Sequence, residues 1–388
     1  MTISLSAKNS NSNSIPGKEL YARWIRPKDL SPLFSFLNSR SDFDLKEIAK
    51  SHLGFPIYQI DWGGGENKIM VWSQMHGNEA TATLALIDLI DELVKACPDS
   101  WSENLKLRLI LMLNPDGSEL YQRRNALGID LNRDAKTQAS IETRAFFKSL
   151  EEFQPDWAFN LHDQRNIFTA GDSNLTATLS FLAPSPDMER SISPARIDSM
   201  KLCAQIHQDI EHLAEGHFGR YTDEFYPRAM GDNLMAMGIP NILFEAGAFP
   251  GDPHRSLARS LIYEGVKSAI DTILKASWQT QAIKNYEAIP ENKQLMRDLI
   301  FRDVDLSGTR VDMALMLKQE GRPETNEWKE TYLIDDIGDL SHLHGLLDLE
   351  ADKVESTLSH FDIGALAHFK IIKGSLEYNF IDGVLQEH

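Results

Sequence analysis

An α/β fold is predicted, with a mixed, mostly parallel twisted sheet carrying helices on both faces, followed by a smaller β-rich domain. Three observations predict it. From about residue 58 to about residue 276, short apolar runs alternate with longer amphipathic segments, the pattern of a covered, mostly parallel sheet. After about residue 281 the texture changes to short strand-like runs separated by turn residues and charge. Several apolar runs also end on residues able to do chemistry, and in an open α/β sheet ligands bind beyond the carboxyl ends of the strands. A length of 388 residues fits two to three domains at roughly 150 residues each.

Residues 1–15 are rich in Ser and Asn and read as a disordered arm. The first domain is expected over 16–284 and the second over 285–388. Residues 69–72 form a strand, and 79–95 a helix whose Leu86, Leu89, Ile90, Leu93 and Val94 recur at helical spacing. The run 107–113 is a strand closed by Asn114-Pro115-Asp116-Gly117, a turn. A helix over 139–153 leads into a strand at 156–161. Ile197, Met200, Cys203, Ile206, Ile210 and Leu213 trace one helix face, 239–244 is a strand, and 257–274 a helix. Beyond 281, strands are expected at 299–304, 310–316, 330–334 and 368–372. Gly63-Gly64-Gly65 lacks the Gly-x-Gly-x-x-Gly pattern and opens no helix, so it reads as a hairpin-like turn.

Acidic residues outnumber basic ones 57 to 39, a net charge of −18. That argues against binding nucleic acid or anionic lipid, both of which need a basic face. Apolar residues make up 42% of the chain, enough for a core, and no apolar stretch approaches the length that crosses a bilayer. Two cysteines, Cys97 and Cys203, exclude a disulfide scaffold and leave a single bridge open. The first residues lack a charged segment followed by an apolar one, so a cytoplasmic location is expected.

Four strand ends carry reactive groups: His76 with Glu79, Asn114, His162 and Glu245. Each alone has a plain structural explanation. His-x-x-Glu is a capping Glu beside a turn His, a lone strand-end His is a hydrogen-bonded core residue, and a carboxylate after a buried strand is half of a salt bridge. The loop from Arg123 to Arg133 alone is a solvated turn. Together they say more. Two His and one Glu, with one position left for water, form the ligand set of a catalytic zinc site. A further carboxylate accepts the proton of that water, and arginines bind a substrate carboxylate or a developing oxyanion.

Taken in order, His76-Gly77-Asn78-Glu79, Asn114-Pro115-Asp116-Gly117, Arg-x-Asn-x-x-Gly-x-Asp-Leu-Asn-Arg from Arg123 to Arg133, His162 and Glu245 resemble the zinc metallocarboxypeptidases of the carboxypeptidase A type, in a bacterial-like subgroup. The likeness runs from about residue 58 to 276. It implies a zinc carboxypeptidase-like catalytic domain over 16–284, with one zinc per chain held by His76, Glu79 and His162. By the same resemblance Glu245 is the general base, Arg123 stabilises the oxyanion, and Asn132 with Arg133 grips the substrate's terminal carboxylate. Asp130 hydrogen-bonds the first zinc histidine, and Tyr226, with Tyr221 as the nearby alternative, covers bound substrate. The implied activity is hydrolysis of the C-terminal peptide bond of a peptide.

The sequence departs from the digestive enzymes in a shorter interval between His76 and His162, and in Asp134 where the family commonly has Asn. Related readings stay open. One is a zinc amidohydrolase of N-acyl amino acids resembling the aspartoacylase and succinylglutamate desuccinylase group, or a murein-peptide amidase. Another is a non-catalytic binding module, although all three ligands and Glu245 are present. Between residues 221 and 239 the specificity pocket offers Arg228, which would favour an acidic terminal residue, or Asp232, which would favour a basic one.

Overall fold

A computed structural model describes residues 14–20, 23–356 and 360–386. The chain runs through α1 (Pro27–Asn38), β1 (Phe43–Lys50), β2 (Pro56–Trp62), β3 (Asn67–Trp72), α2 (Thr81–Ala96), α3 (Asp99–Asn104), β4 (Leu105–Ile110), α4 (Pro115–Glu119), α5 (Ile141–Phe153) and β5 (Trp157–Asp163). It continues through β6 (Thr169–Ala170), β7 (Leu179–Leu182), α6 (Pro194–Ile210), β8 (Phe218–Arg220), α7 (Met230–Ala236), β9 (Asn241–Ala246), α8 (Ser256–Leu274) and α9 (Ile283–Glu287).

Eight strands form one sheet in the order β1-β2-β4-β3-β5-β9-β7-β8. The central β4, β3, β5 and β9 run parallel, with antiparallel β2 at one flank and antiparallel β7 at the other. Alternate side chains of the same strands feed two cores, as the period of two requires. Ile69, Val71, Leu107, Phe159, Leu161 and Phe244 meet α2, α6 and α8 on one face. Met70, Trp72, Ile110 and Ala158 meet Phe146, Leu150 and Phe153 of α5, and Met230 and Leu234 of α7, on the other. The expected α/β architecture is therefore present.

The glycine run is not a hairpin. β2 and β3 do not pair; both lie against β4, on opposite sides. Gly63, at φ 77°, and Gly65 cross the start of β4 so closely that a Cβ would sit 2.2 Å from the Leu105 carbonyl oxygen or 2.0 Å from Asn104. Asn-Pro-Asp-Gly also differs from its expected plain turn: it forms α4, with the Asn114 side chain accepting from the Gly117 N–H at 2.8 Å. Both cysteines are free. Among the described residues, no helix is long and apolar enough to cross a membrane.

The chain ends in β10 (Asn292–Lys293), β11 (Met296–Leu306), β12 (Thr309–Arg322), β13 (Glu327–Gly338), β14 (His344–Glu350), β15 (Lys353–Glu355), β16 (Phe369–Lys373), β17 (Leu376–Ile381) and β18 (Val384–Gln386). All but β10 join one sheet around a core of Phe301, Leu315, Ile334, Phe369 and Phe380. The residues just after 284 pack elsewhere: Tyr286 and Ile289 are in the first domain's core, and β10 pairs with β6. At the other end, residues 1–13 of the expected arm lie outside the described residues, and Ile15 is buried in that same core. Trp24, Tyr121 and Trp328 pack against one another across the junction of the two units, Tyr121 edge-on to both indoles.

Tyr286 is 1% exposed, and its hydroxyl accepts the Ala183 N–H at 3.1 Å. Tyr286→Ala is expected to lower unfolding free energy by about 3–5 kcal/mol, as for other large aromatic truncations. Urea denaturation reads this, and a loss below about 1 kcal/mol would show that α9 is not part of the first core.

Candidate metal centre

β3 and β5 are neighbours in the sheet, so the loops leaving their carboxyl ends share one edge. After β3 the chain turns at His76, whose carbonyl accepts the Glu79 N–H at 3.1 Å, just ahead of α2. This turn places both side chains on one side of the loop. It rests directly on α4: a Cβ at Gly77 would lie 1.8 Å from the Gly117 backbone carbon. Asn114 is thus a scaffold residue. It is wholly buried, and its amide donates to the carbonyls of Met75 at 3.2 Å and Arg123 at 3.3 Å.

His76, Glu79 and His162 are buried and converge. One Glu79 oxygen lies 2.8 Å from His76 Nδ1, the other 2.7 Å from His162 Nδ1, and the two Nδ1 atoms are 3.1 Å apart. Ligands at zinc distances of ~2.0–2.1 Å in a tetrahedron are about 3.3 Å from one another. The donor set and its spacing therefore fit that ion. Burial would raise the Glu79 pKa, but His76 and His162 outweigh it and hold the carboxylate well below its ordinary range. On the far side of the ring, His76 Nε2 lies 3.3 Å from Asp130, the kind of contact that fixes the plane of an imidazole. Burial opposes charge on Asp130, and the His76 and Arg123 contacts override it, keeping this carboxylate ionised.

Arg123 reaches the same cluster. Its Nε donates to Asp130 at 2.9 Å, and its Nη1 lies 3.1 Å from His76 Nδ1 and 3.5 Å from Glu79. Glu245 stands in register with His162 across the β5–β9 pair. Its Oε2 is buried without a hydrogen-bond partner, and burial, with Glu79 and Asp163 nearby, pushes its carboxyl well above the usual range.

Asn132 and Arg133 follow in the loop capped by Asp130, which accepts the Asn132 N–H at 2.9 Å. The Asn132 side chain accepts from the Met230 N–H at 2.9 Å, and the Arg133 guanidinium lies 5.2 Å from the centre of the Tyr226 ring. Tyr226 is exposed, its hydroxyl donating to Glu224 at 3.0 Å. The Tyr221 hydroxyl is pushed up by burial and then by the Glu245 and Glu79 charges. Of the two candidate specificity residues, Arg228 is exposed and Asp232 buried. Asp134, where the family commonly has Asn, turns inward and accepts the Ala139 and Ser140 N–H groups at 2.8 and 2.9 Å.

Sequence reasoning missed a buried cluster beside the ligands. Asp163, next to His162, accepts from Thr81 at 2.6 Å and Arg23 at 3.0 Å, with Arg255 at 3.4 Å. The adjacency to His162 was a usable signal for Asp163. Nothing in the local sequence marks Arg23 or Arg255, which come from distant segments.

Residues 36–167 match the zinc carboxypeptidase family. Over that third of its length the chain is similar to the family. The matched zinc carboxypeptidase segment includes all three converging ligands and Arg123 to Arg133, while Glu245 lies beyond it. Carboxypeptidase 2 of Trichophyton rubrum is 34% identical over 110 residues, 27% of this chain and 19% of that protein. Probable carboxypeptidase 2 of Arthroderma benhamiae is 34% identical over 111 residues, 27% of this chain and 20% of that protein. The match thus spans about a fifth of these relatives. In fold, the chain is similar to the carboxypeptidase A from Helicoverpa armigera (TM-score 0.55, 14% identity, 69% of this chain and 78% of that one). A metallo-carboxypeptidase from Burkholderia cenocepacia has the same likeness at TM-score 0.52 and 15% identity, over 65% and 71% of the two chains.

Two measurements test this packing. Gly77→Ala forces apart the two turns that carry His76 and Gly117, and is expected to lower zinc affinity at least tenfold by competition with a chelating dye. Unchanged affinity would show the close approach to be dispensable. Burial raises the Asp232 carboxyl to about 6 from 3.8. The charged form is therefore disfavoured in the folded state, a cost absent below about pH 4 and complete above about pH 6. Asp232→Asn should raise Tm at pH 8 and leave it nearly unchanged at pH 4, measured by calorimetry; an equal shift at both pH values would contradict this.

Proposed function

We propose that the protein is a zinc-dependent carboxypeptidase that hydrolyses the C-terminal peptide bond of peptides. The observation that carries this reading is the convergence of two imidazole Nδ1 atoms on one buried carboxylate, with Asp130 behind one ring and Arg123 at the rim. His76, Glu79 and His162 would hold the ion. When bound, zinc lowers the pKa of water to about 7 and polarises a carbonyl.

The chain's own residues supply the remainder. Glu245 takes a proton from the attacking water on its carboxylate and returns it to the leaving amine. Its buried, unpartnered Oε2 supports that role. Arg123 donates to the oxygen on which charge develops. Asn132 and Arg133 grip the terminal carboxylate, so only a chain end is held with its last peptide bond at the centre. Asp130 keeps the His76 ring oriented throughout, and Tyr221, whose hydroxyl feels the Glu245 and Glu79 charges while Tyr226 is exposed, covers the substrate.

A second reading, hydrolysis of a small N-acyl amino acid or a murein peptide, is favoured by one feature. The C-terminal domain contacts both Tyr121, through Gln319 at 3.3 Å, and Asn166, through Asp298 at 2.7 Å, close to the ligand-bearing loops. That crowding favours short substrates.

Blocked dipeptides, longer peptides, N-acyl amino acids and murein tripeptide, each with a free or amidated C-terminus, separate these readings. Chelator-sensitive release of a C-terminal residue, abolished by amidation, is the expected result; turnover confined to N-acyl amino acids or murein peptide would replace it with the second reading. Glu245→Gln should retain stoichiometric zinc, by elemental analysis, while kcat falls by about 10²–10⁴. Full activity in that variant would remove Glu245 as the base.

A further inference from the structure

His162 and Glu245 face each other at the end of the β5–β9 pair, and what closes that end lies largely outside both strands. The last ladder bond is Gln164 N–H to the Ala246 carbonyl at 2.8 Å. Arg255 spans it: Nη1 donates to the Ala246 carbonyl and Nη2 to the Gln164 carbonyl, both at 2.6 Å. Arg255 is buried and sits at φ 57°, a backbone conformation that non-glycine residues keep only where surrounding contacts enforce it.

The same Nη2 donates to Asn166 Oδ1 at 2.8 Å, and Asn166 Nδ2 donates to Asp298 Oδ1 at 2.7 Å. Asp298 belongs to β11, and its other oxygen accepts the Leu317 N–H of β12 at 2.7 Å. Polarity runs one way along this row: Arg255 only donates, Asp298 only accepts, and Asn166 between them accepts through its oxygen and donates through its amide. Two further ties bind the same loop to the C-terminal side. Asn292 donates to Gln164 Oε1 at 3.0 Å, and the Met296 N–H donates to the Ile167 carbonyl at 3.1 Å.

We infer that the C-terminal β domain sets the separation of His162 and Glu245 through the relay Asp298–Asn166–Arg255. These three are positioning residues for the reaction proposed above, and the inference rests on that reading for its catalytic consequence. Its geometric core stands on the hydrogen bonds alone.

The test exploits the fixed polarity. Asp298→Asn sets one donor against a donor, and Asn166→Asp sets a carboxylate against Asp298. In the double variant Asp298→Asn/Asn166→Asp the row reverses: the new amide donates to the new carboxylate, which still accepts from Arg255, and the amide oxygen still accepts from Leu317. Each single variant should lower kcat about ten- to a hundredfold, the cost of displacing a reacting group, with KM and zinc content within about twofold. Amide exchange at Gln164 should rise at least tenfold in each single variant, through local opening. The double variant should recover both readouts. Unchanged exchange at Gln164 in the single variants, or a double variant no better than either, would overturn the relay. Because exchange requires no substrate, a chain that hydrolyses nothing yet shows the exchange pattern would refute the proposed activity and leave the relay standing. Lowered Tm with kcat and Gln164 exchange both unchanged would reduce these contacts to domain docking.

Discussion

Two imidazole nitrogens held 3.1 Å apart in a buried site constrain everything around them. Lone pairs at that distance repel unless a proton or a cation lies among them, and the Glu79 carboxylate between the rings sets the sign of what is accepted. Meeting this condition requires β3 and β5 to be neighbours, so that His76 and His162 leave the sheet side by side. It requires the His76 loop to settle onto α4 with no side chain in the way, which is the task of Gly77. It also requires a fixed ring plane, supplied by Asp130 from a loop that Arg123 in turn anchors. The motifs scattered from residue 76 to 133 are therefore one object in space.

Much of this was legible in the sequence because it is written locally. Covered parallel strands show as largely apolar runs, such as the one expected at 156–161, which lies in a strand buried at every residue from 157 to 163, and helix faces show as repeats three and four apart. That His76, Glu79 and His162 come together was legible for a different reason: His76 and Glu79 are close in sequence, and each of the three lies at or just beyond the carboxyl end of an apolar strand. What escaped was set by partners far along the chain. Asn114 looks like a reactive strand end, yet its amide is spent on backbone carbonyls that only the folded loop brings near. Tyr226 was the choice by motif with Tyr221 close by, and their different exposure, Tyr226 exposed and Tyr221 half-buried, is set by the path of the chain after β8. Arg255 has no local signature because its contacts lie at residues 163–166 and 246.

The boundary between the two units was the least legible feature. Residues 283–293 carry no pattern that assigns them to either side, and they serve both. Tyr286 and Ile289 anchor in the first core, while Asn292 and Lys293 pair with the loop that follows His162. The C-terminal sheet thus joins the site as a continuous structural neighbour, through backbone pairing and an edge-on aromatic junction, and not as a module on a free tether.

The placement of β4 between β2 and β3 bears on how the chain reaches this state. Two strands separated by four residues usually close on each other within microseconds, whereas here they must stay two sheet spacings apart, roughly 9.6 Å. The gap is filled by a strand synthesised some thirty residues later, after α2 and α3. During synthesis the ribosome therefore releases a pair of adhesive edges before the piece that belongs between them exists. Gly63 and Gly65 cross the start of β4 too closely for any side chain, so this connection fits the completed arrangement with the late strand in place.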